Sequence, residues 1–413
     1  MMRYRLTGRF FHSAPPPPAM VFNREPLMQR FWGSGLLFMV AGFGLGLWLW
    51  LEQQGWLSGW AGVWPYHDLR AVHASWQIVY FTGAFLLGFA LQAGPHLLGS
   101  PPPPLPQALK LLGLFQAGWL LSWLPFTLAW DLSRLVTTVA LLWAVWLLAG
   151  MVRSGLPAHR AGIGLPLIGG IAALAVAVWL PLQQPQWGLW ALWLGPVTVI
   201  LAAAQQLIAN VLGGQRLIDQ NGRWFALLLA GCWATTTRAA VWNDEGSWRL
   251  AGAIWTVTLI GYWIRTGLWQ ALRRGGVQSL TMALGCGLAV PLVAALWLLL
   301  DGNAEQDRVL HLLALGAVVP LIVAVTARVA TFFSGGYVLP EPWLIVVLGA
   351  WIGVILLRVL PPWPSMAIHL DQWLPLPVAL IALLLGVWVN GLARRLWIIQ
   401  TRARAMRANA SND

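Results

Sequence analysis

The sequence predicts an all-α, polytopic membrane protein of about twelve transmembrane helices, and three observations carry that prediction. First, 59% of the 413 residues are hydrophobic and 9% are charged, against roughly a quarter charged in a soluble domain. There are too few charges to coat a water-facing surface. Second, the apolar residues fall into runs of about 20, the length needed to cross a hydrocarbon core of about 30 Å. Third, the chain holds 30 tryptophans, many at run ends, as with Trp60, Trp64, Trp187, Trp242 and Trp363. Indole rings concentrate at the membrane–water interface.

Twelve runs meet the length requirement: 32–51, 74–97, 107–126, 133–152, 163–181, 188–212, 222–242, 250–271, 279–300, 309–333, 342–360 and 375–397. Between them lie breakers such as Pro101 to Pro104, the Asp244, Glu245, Gly246 turn, and Pro361 with Pro362. Residues 1–31 read as a basic tail that contains Pro15 to Pro18 and has no apolar core for a cleavable signal. Residues 32–397 then form a single transmembrane domain and 398–413 a second tail. Most of the 25 Lys and Arg residues fall on the side that holds both tails, and the positive-inside bias puts that side in the cytoplasm. The net charge of +12 therefore reports topology, because the basic residues cap hydrophobic runs instead of clustering on a nucleic-acid-binding face. Cys232 and Cys286 both lie inside apolar runs, which excludes a disulfide framework or a paired-cysteine metal site. The chain has no phosphate loop, no zinc-protease helix motif and no acidic pair within a span, so a nucleotide hydrolase or a carboxylate proton relay is excluded as well.

Ionisable and amide groups at membrane depth are costly enough to count as functional candidates. With the N-terminus inside, spans two and ten both run inward, so His73 and His311 lie at similar depth near the outer face. Two neutral imidazoles on facing helices suit the axial positions of a haem, or part of a copper site. Gln77 is one helical turn from His73 on the same face. Span seven brings Thr235, Thr236, Thr237 and Arg238 to the same level, where an arginine suits a carboxylate such as a haem propionate. His96 closes span two about 35 Å away, so it is a candidate metal ligand of a different level. There it joins a second polar cluster of Gln92, Gln205, Gln206, Asn210, Arg265 and Arg328. The plainer alternatives are interfacial histidines, a snorkelling Arg328, and interhelical hydrogen bonding by Gln205, Gln206 and Asn210. His12, His67, His159 and His369 read as exposed tail or loop residues.

The run HASWQIVYFTGAFLLGFALQAGPHLLG, from His73 to Gly99, resembles the signature of the NnrS family, bacterial membrane proteins containing haem and copper and associated with the response to nitric oxide. The matching residues are His73, Ala74, Gly88, Phe89, Ala93 and Pro95. In span ten His311, Gly316, Arg328 and Gly335 fall at the family's spacing, and Gly213 with Gly214 resembles its glycine turn. The chain departs from the family at Ser75, where a second histidine is usual, at Phe333 and Gly336, where a histidine and an arginine are usual, and at Gln215. The resemblance implies a b-type haem on His73 and His311, nitric oxide or a redox protein as partner, and the bacterial inner membrane as location. With these departures the chain lacks part of the family's haem-plus-copper set, and the histidines of spans two and ten are what it keeps. A more distant similarity, to the catalytic subunit of haem-copper oxidases, also implies twelve spans with a haem between spans two and ten; the adjacent histidine pair which that subunit needs is missing here. Two other readings stay open. One is a transporter or channel with helices broken at Gly94 with Pro95 and Gly195 with Pro196, and the other is a cofactor-free assembly partner of a respiratory complex.

Overall fold

The computed structural model describes residues 27–53, 65–275, 278–302, 305–334, 338–359, 386, 388–398 and 401. Both expected tails, most of the twelfth span, His12, His369, Trp60, Trp64, Trp363, Gly335 and Gly336 lie outside these residues, as do the side chains of Asn210, Arg328 and Phe333.

The described residues contain helices and no strands, and long helices follow the first eleven expected runs in order. They are α1 (Leu27–Gln53), α2 (Tyr66–Leu98), α3 (Leu105–Leu121), α4 (Thr127–Ser154), α5 (Pro157–Ala177), α6 (185–212), α7 (Asp219–Trp242), α8 (Glu245–Thr266), α9 (Ser279–Leu300), α10 (306–334) and α11 (Glu341–Val359). Residues 388–398 are helical within the twelfth run. Seven of these helices, α1, α2, α4, α5, α6, α9 and α10, are long and apolar enough to cross a membrane. The remaining four differ for visible reasons. α3 stops at Leu121, five residues before its run ends, because Pro125 follows a turn there. α7 carries Asp219, Arg223 and Arg238, and α8 carries Glu245, Arg249 and Arg265. α11 runs from Glu341 to Val359 and carries Glu341 and Arg358 at its ends.

α8 ends at Gly267 instead of residue 271, because Gly267 adopts φ 64° and leaves the helix there. The expected breaks at Gly94 with Pro95 and Gly195 with Pro196 do not occur. α2 stays helical through Pro95, and α6 passes Pro196 inside a π turn, whose wider hydrogen-bond spacing accommodates the missing amide. Four such π turns occur among the described residues, in α2 (Trp76–Phe81), α5 (Arg160–Gly164), α6 (Trp193–Val197) and α10 (Leu312–Val318).

Packing is apolar and aromatic, with indole and phenol donors tied across helices. Trp193 stacks on Trp255 with centroids 4.4 Å apart, and Trp255 Nε1 donates to Thr236 Oγ1 at 2.9 Å. Tyr80 bridges α2 to Ser133 and Thr137 of α4. Exposed indoles near helix ends include Trp123, Trp179, Trp224, Trp242 and Trp343, and indole rings of this kind favour the membrane–water interface. Cys232 and Cys286 are unpaired, as their apolar surroundings imply.

Candidate functional site

The starts of α2, α6 and α10 meet at one end of the bundle. Gln183, just before α6, places its Nε2 3.4 Å from His67 Nε2 of α2. Gly188 of α6 has Leu310 of α10 directly against it. The three helices therefore run in the same direction from a common level, and His73 and His311 sit near that level, one on α2 and one on α10.

Helix α1 supplies the floor. Gly42 and Gly46 lie one turn apart and face Gln77 and His73, one turn apart on the antiparallel α2. A Cβ on Gly46 would lie 2.7 Å from His73 Cε1, and one on Gly42 would lie 2.6 Å from Gln77 Nε2. Only hydrogen at both positions lets the imidazole and the amide rest on α1, the use that membrane helices make of small residues four apart.

His73 Nδ1 is 2.9 Å from the Gly42 carbonyl oxygen. A carbonyl only accepts, so Nδ1 carries a proton and donates, and in the neutral ring Nε2 keeps its lone pair. His311 does the same: its Nδ1 donates to the Asp307 carbonyl at 2.7 Å, with the Asp307 carboxylate 3.3 Å away. Both rings thus hold one tautomer, fixed by a backbone oxygen, which is how a metal-ligating histidine is usually oriented. His311 and Arg70 lie within electrostatic reach of the His73 ring. Gln77 Nε2 is buried without a hydrogen-bond partner, a condition that costs about 1–3 kcal/mol for a group left unsatisfied. One flank is closed by aromatic contact: Phe43 of α1 meets Trp351 of α11 edge-on at 6.0 Å, and Trp351 Nε1 donates to the Leu315 carbonyl of α10 at 2.7 Å. A π turn follows each histidine, starting at Trp76 on α2 and at Leu312 on α10, and such turns concentrate at functional sites.

The other expected residues are placed differently. Arg238 is exposed, with its guanidinium stacked 4.5 Å over the Trp242 ring and Asp244 in electrostatic range. Thr236 and Thr237 accept indole protons from Trp255 and Trp190, and the Thr235 hydroxyl bonds within its own helix, so all three tie helices together. His96 is exposed near the far end of α2. His159 departs from the exposed-loop expectation: it is half-buried and its Nδ1 donates to the Leu97 carbonyl at 2.8 Å.

The second polar cluster also resolves into separate roles. Gln205 is fully buried; its Nε2 donates to the Gly162 carbonyl at 2.8 Å and its Oε1 accepts from the Leu217 amide at 2.9 Å. It clamps the π turn of α5 to the segment after α6. Gln206 Oε1 is buried with no partner, Gln92 is half-buried, and Arg265 is exposed in the last turn of α8.

Sequence reasoning missed Gly42, Gly46, Phe43 and Trp351. The glycines were readable as a small-xxx-small pattern, although the pattern does not name the partner helix. No curated protein matches the chain. The family model described as NnrS protein matches residues 29–399, a range that includes both histidines and every helix from α2 to α11. With most of its length matched, the chain belongs to the NnrS family, membrane proteins of the nitric oxide response.

Proposed function

We propose that this protein holds a b-type haem between His73 and His311 and serves nitric oxide or nitrosative-stress tolerance from the bacterial inner membrane, with twelve crossings and both termini in the cytoplasm. The observation that carries the haem reading is the shared tautomer. Two imidazoles from helices far apart in sequence both commit Nδ1 to a backbone carbonyl, leave Nε2 as the donor nitrogen of the neutral ring, and lie within electrostatic reach of each other. Neutral nitrogen donors of this kind fit a haem iron. The unpartnered Gln77 amide on the same face adds a donor for a polar group at the site.

Copper does not fit. Among the described residues no three His, Cys, Asp or Glu side chains come together, and Ser75 stands where the resemblance calls for a further histidine.

A b-type haem, when bound, supplies a one-electron iron centre, suited to electron transfer or sensing when both axial positions are taken. The chain's own part is orientation and exclusion. Gly42 and Asp307 fix the rings through their carbonyls, Gly46 makes room for His73, and Phe43 with Trp351 closes the flank. The transporter reading leaned on helices broken at Gly94 with Pro95 and at Gly195 with Pro196, and both helices run on through these prolines.

The test is an absorption spectrum of the purified protein, oxidised and reduced, with metal analysis. A Soret band in the parent protein, weakened or lost in both His73→Ala and His311→Ala, is expected. A colourless, folded parent protein that takes up no added haem refutes the reading.

A further inference from the structure

The two histidines share a short sequence frame. Arg70 stands three residues before His73 in the run RAVH, and Arg308 stands three residues before His311 in the run RVLH. At about 100° and 1.5 Å per residue, each arginine shares a helix face with its histidine and lies about 4.5 Å nearer the start of its helix. Because α2 and α10 run in the same direction from a common level, both arginines fall one turn above the imidazole pair.

Their side chains set them apart from the other arginines near helix ends. Arg134 and Arg249 each hold a carboxylate of their own helix, Asp131 and Glu245, and Arg238 stacks on Trp242. Arg70 lies within electrostatic reach of the His73 ring, is exposed, and has no carboxylate partner among the described residues. Arg308 meets Glu305 through Nε at 2.5 Å, yet its side chain is only 20% exposed while that of Glu305 is 64% exposed. A guanidinium buried to this extent needs more than one solvated acid to offset its desolvation. The Nε contact leaves the two terminal nitrogens, which can meet a second carboxylate.

We propose that Arg70 and Arg308 hold the two propionate carboxylates of the haem, one each. The proposal rests on the haem reading above and assigns the part of that site which the porphyrin's own acids occupy. Carboxylates are costly at membrane depth, so a haem between His73 and His311 turns them toward the helix starts, where both arginines stand. Arginine meets a carboxylate through parallel N–H donors in a planar fork, and two such cations offset both negative charges. The role expected of Arg238 thus passes to residues on the histidine helices themselves.

The probes are iron protoporphyrin IX and its dimethyl ester, which keeps the iron and the ring but lacks the charges. Each is titrated into the full chain in nanodiscs, against matched empty nanodiscs, and followed at the Soret band. The parent protein and Arg134→Gln should bind the free acid about tenfold or more tighter than the ester. Arg70→Gln and Arg308→Gln should each lose part of that preference, and the double variant all of it, with affinity for the ester unchanged. If the double variant does not fold, the parent protein and the single variants decide. A parent protein that binds the two porphyrins equally, or any of the three variants keeping the full preference, overturns the proposal and leaves the haem reading standing. A parent protein that binds neither overturns both.

Discussion

Replacing Gly46 with alanine tests the histidine floor directly. The new Cβ would stand 2.7 Å from His73 Cε1, 3.2 Å from Nδ1 and 3.4 Å from Nε2. Ordinary contact begins at 3.4 Å, so the ring must withdraw by about 0.7 Å, a distance at which positioning errors already cost catalytic and ligand geometry dearly. Withdrawal stretches the 2.9 Å bond to the Gly42 carbonyl, which endangers about 0.5–1.5 kcal/mol. Loss of an outer partner of this kind lowers metal affinity by about 10–100-fold. Gly44 is the internal control. It is exposed on the same helix with nothing within 4 Å, so Gly44→Ala shares the change in helix propensity, about 1 kcal/mol in favour of alanine, without touching the ring. Haem titration monitored at the Soret band, alongside thermal unfolding by circular dichroism, gives both readouts. Gly46→Ala should titrate about 10–100-fold more weakly than Gly44→Ala. Equal titration of the two variants would show that the ring does not rest on α1.

Gln205→Leu removes both bonds of the clamp and strands the Gly162 carbonyl and the Leu217 amide; a loss of about 1–4 kcal/mol in detergent unfolding is expected, and a loss near zero would make the clamp redundant. Arg238→Gln should leave haem content unchanged, since the guanidinium is spent on the exposed face of Trp242; a lost or shifted Soret band would restore the propionate role. Hydrogen bonds from the Ser247 hydroxyl and amide hold the Asp244 carboxyl below its usual range. A depressed carboxylate contributes stability above its unfolded pKa and loses it as pH falls through the folded value. The parent protein should thus lose stability only in the acid range, and Asp244→Asn, which caps without a charge, should lose less. Identical acid profiles for the two proteins would refute that assignment.

The membrane class and the helix order were legible because burial in lipid demands long apolar runs, and eleven of these reappear as helices. The histidine pair was legible through parity: two spans of even number start at the same face, which fixes depth without coordinates. What composition hides is the partner of each polar group. Thr236, Thr237 and Gln205 look like site residues in a list of polar groups at depth, yet each is consumed by an indole or a backbone atom from another helix. Arg238 lies at the expected end but faces outward, since the face of a helix in a uniformly apolar run cannot be read from periodicity. The early stop of α3 follows from Pro125 and its turn, a local signal outweighed by the apolar run around it.

The π turn of α2 was illegible for a related reason. The contacts between α1 and α2 keep equal spacings on the two antiparallel helices: Gly46 with His73, Gly42 with Gln77, Gly35 with Ala84, and Phe31 with Gly88. Equal spacings hold one seam in register, because each surplus residue would turn a helix by about 100°. The seam therefore runs on past the turn Trp76–Phe81, and what carries it is the small residue that one helix or the other offers at each contact, so that the register of His73 on α1 is set along the whole seam and not at the histidine alone.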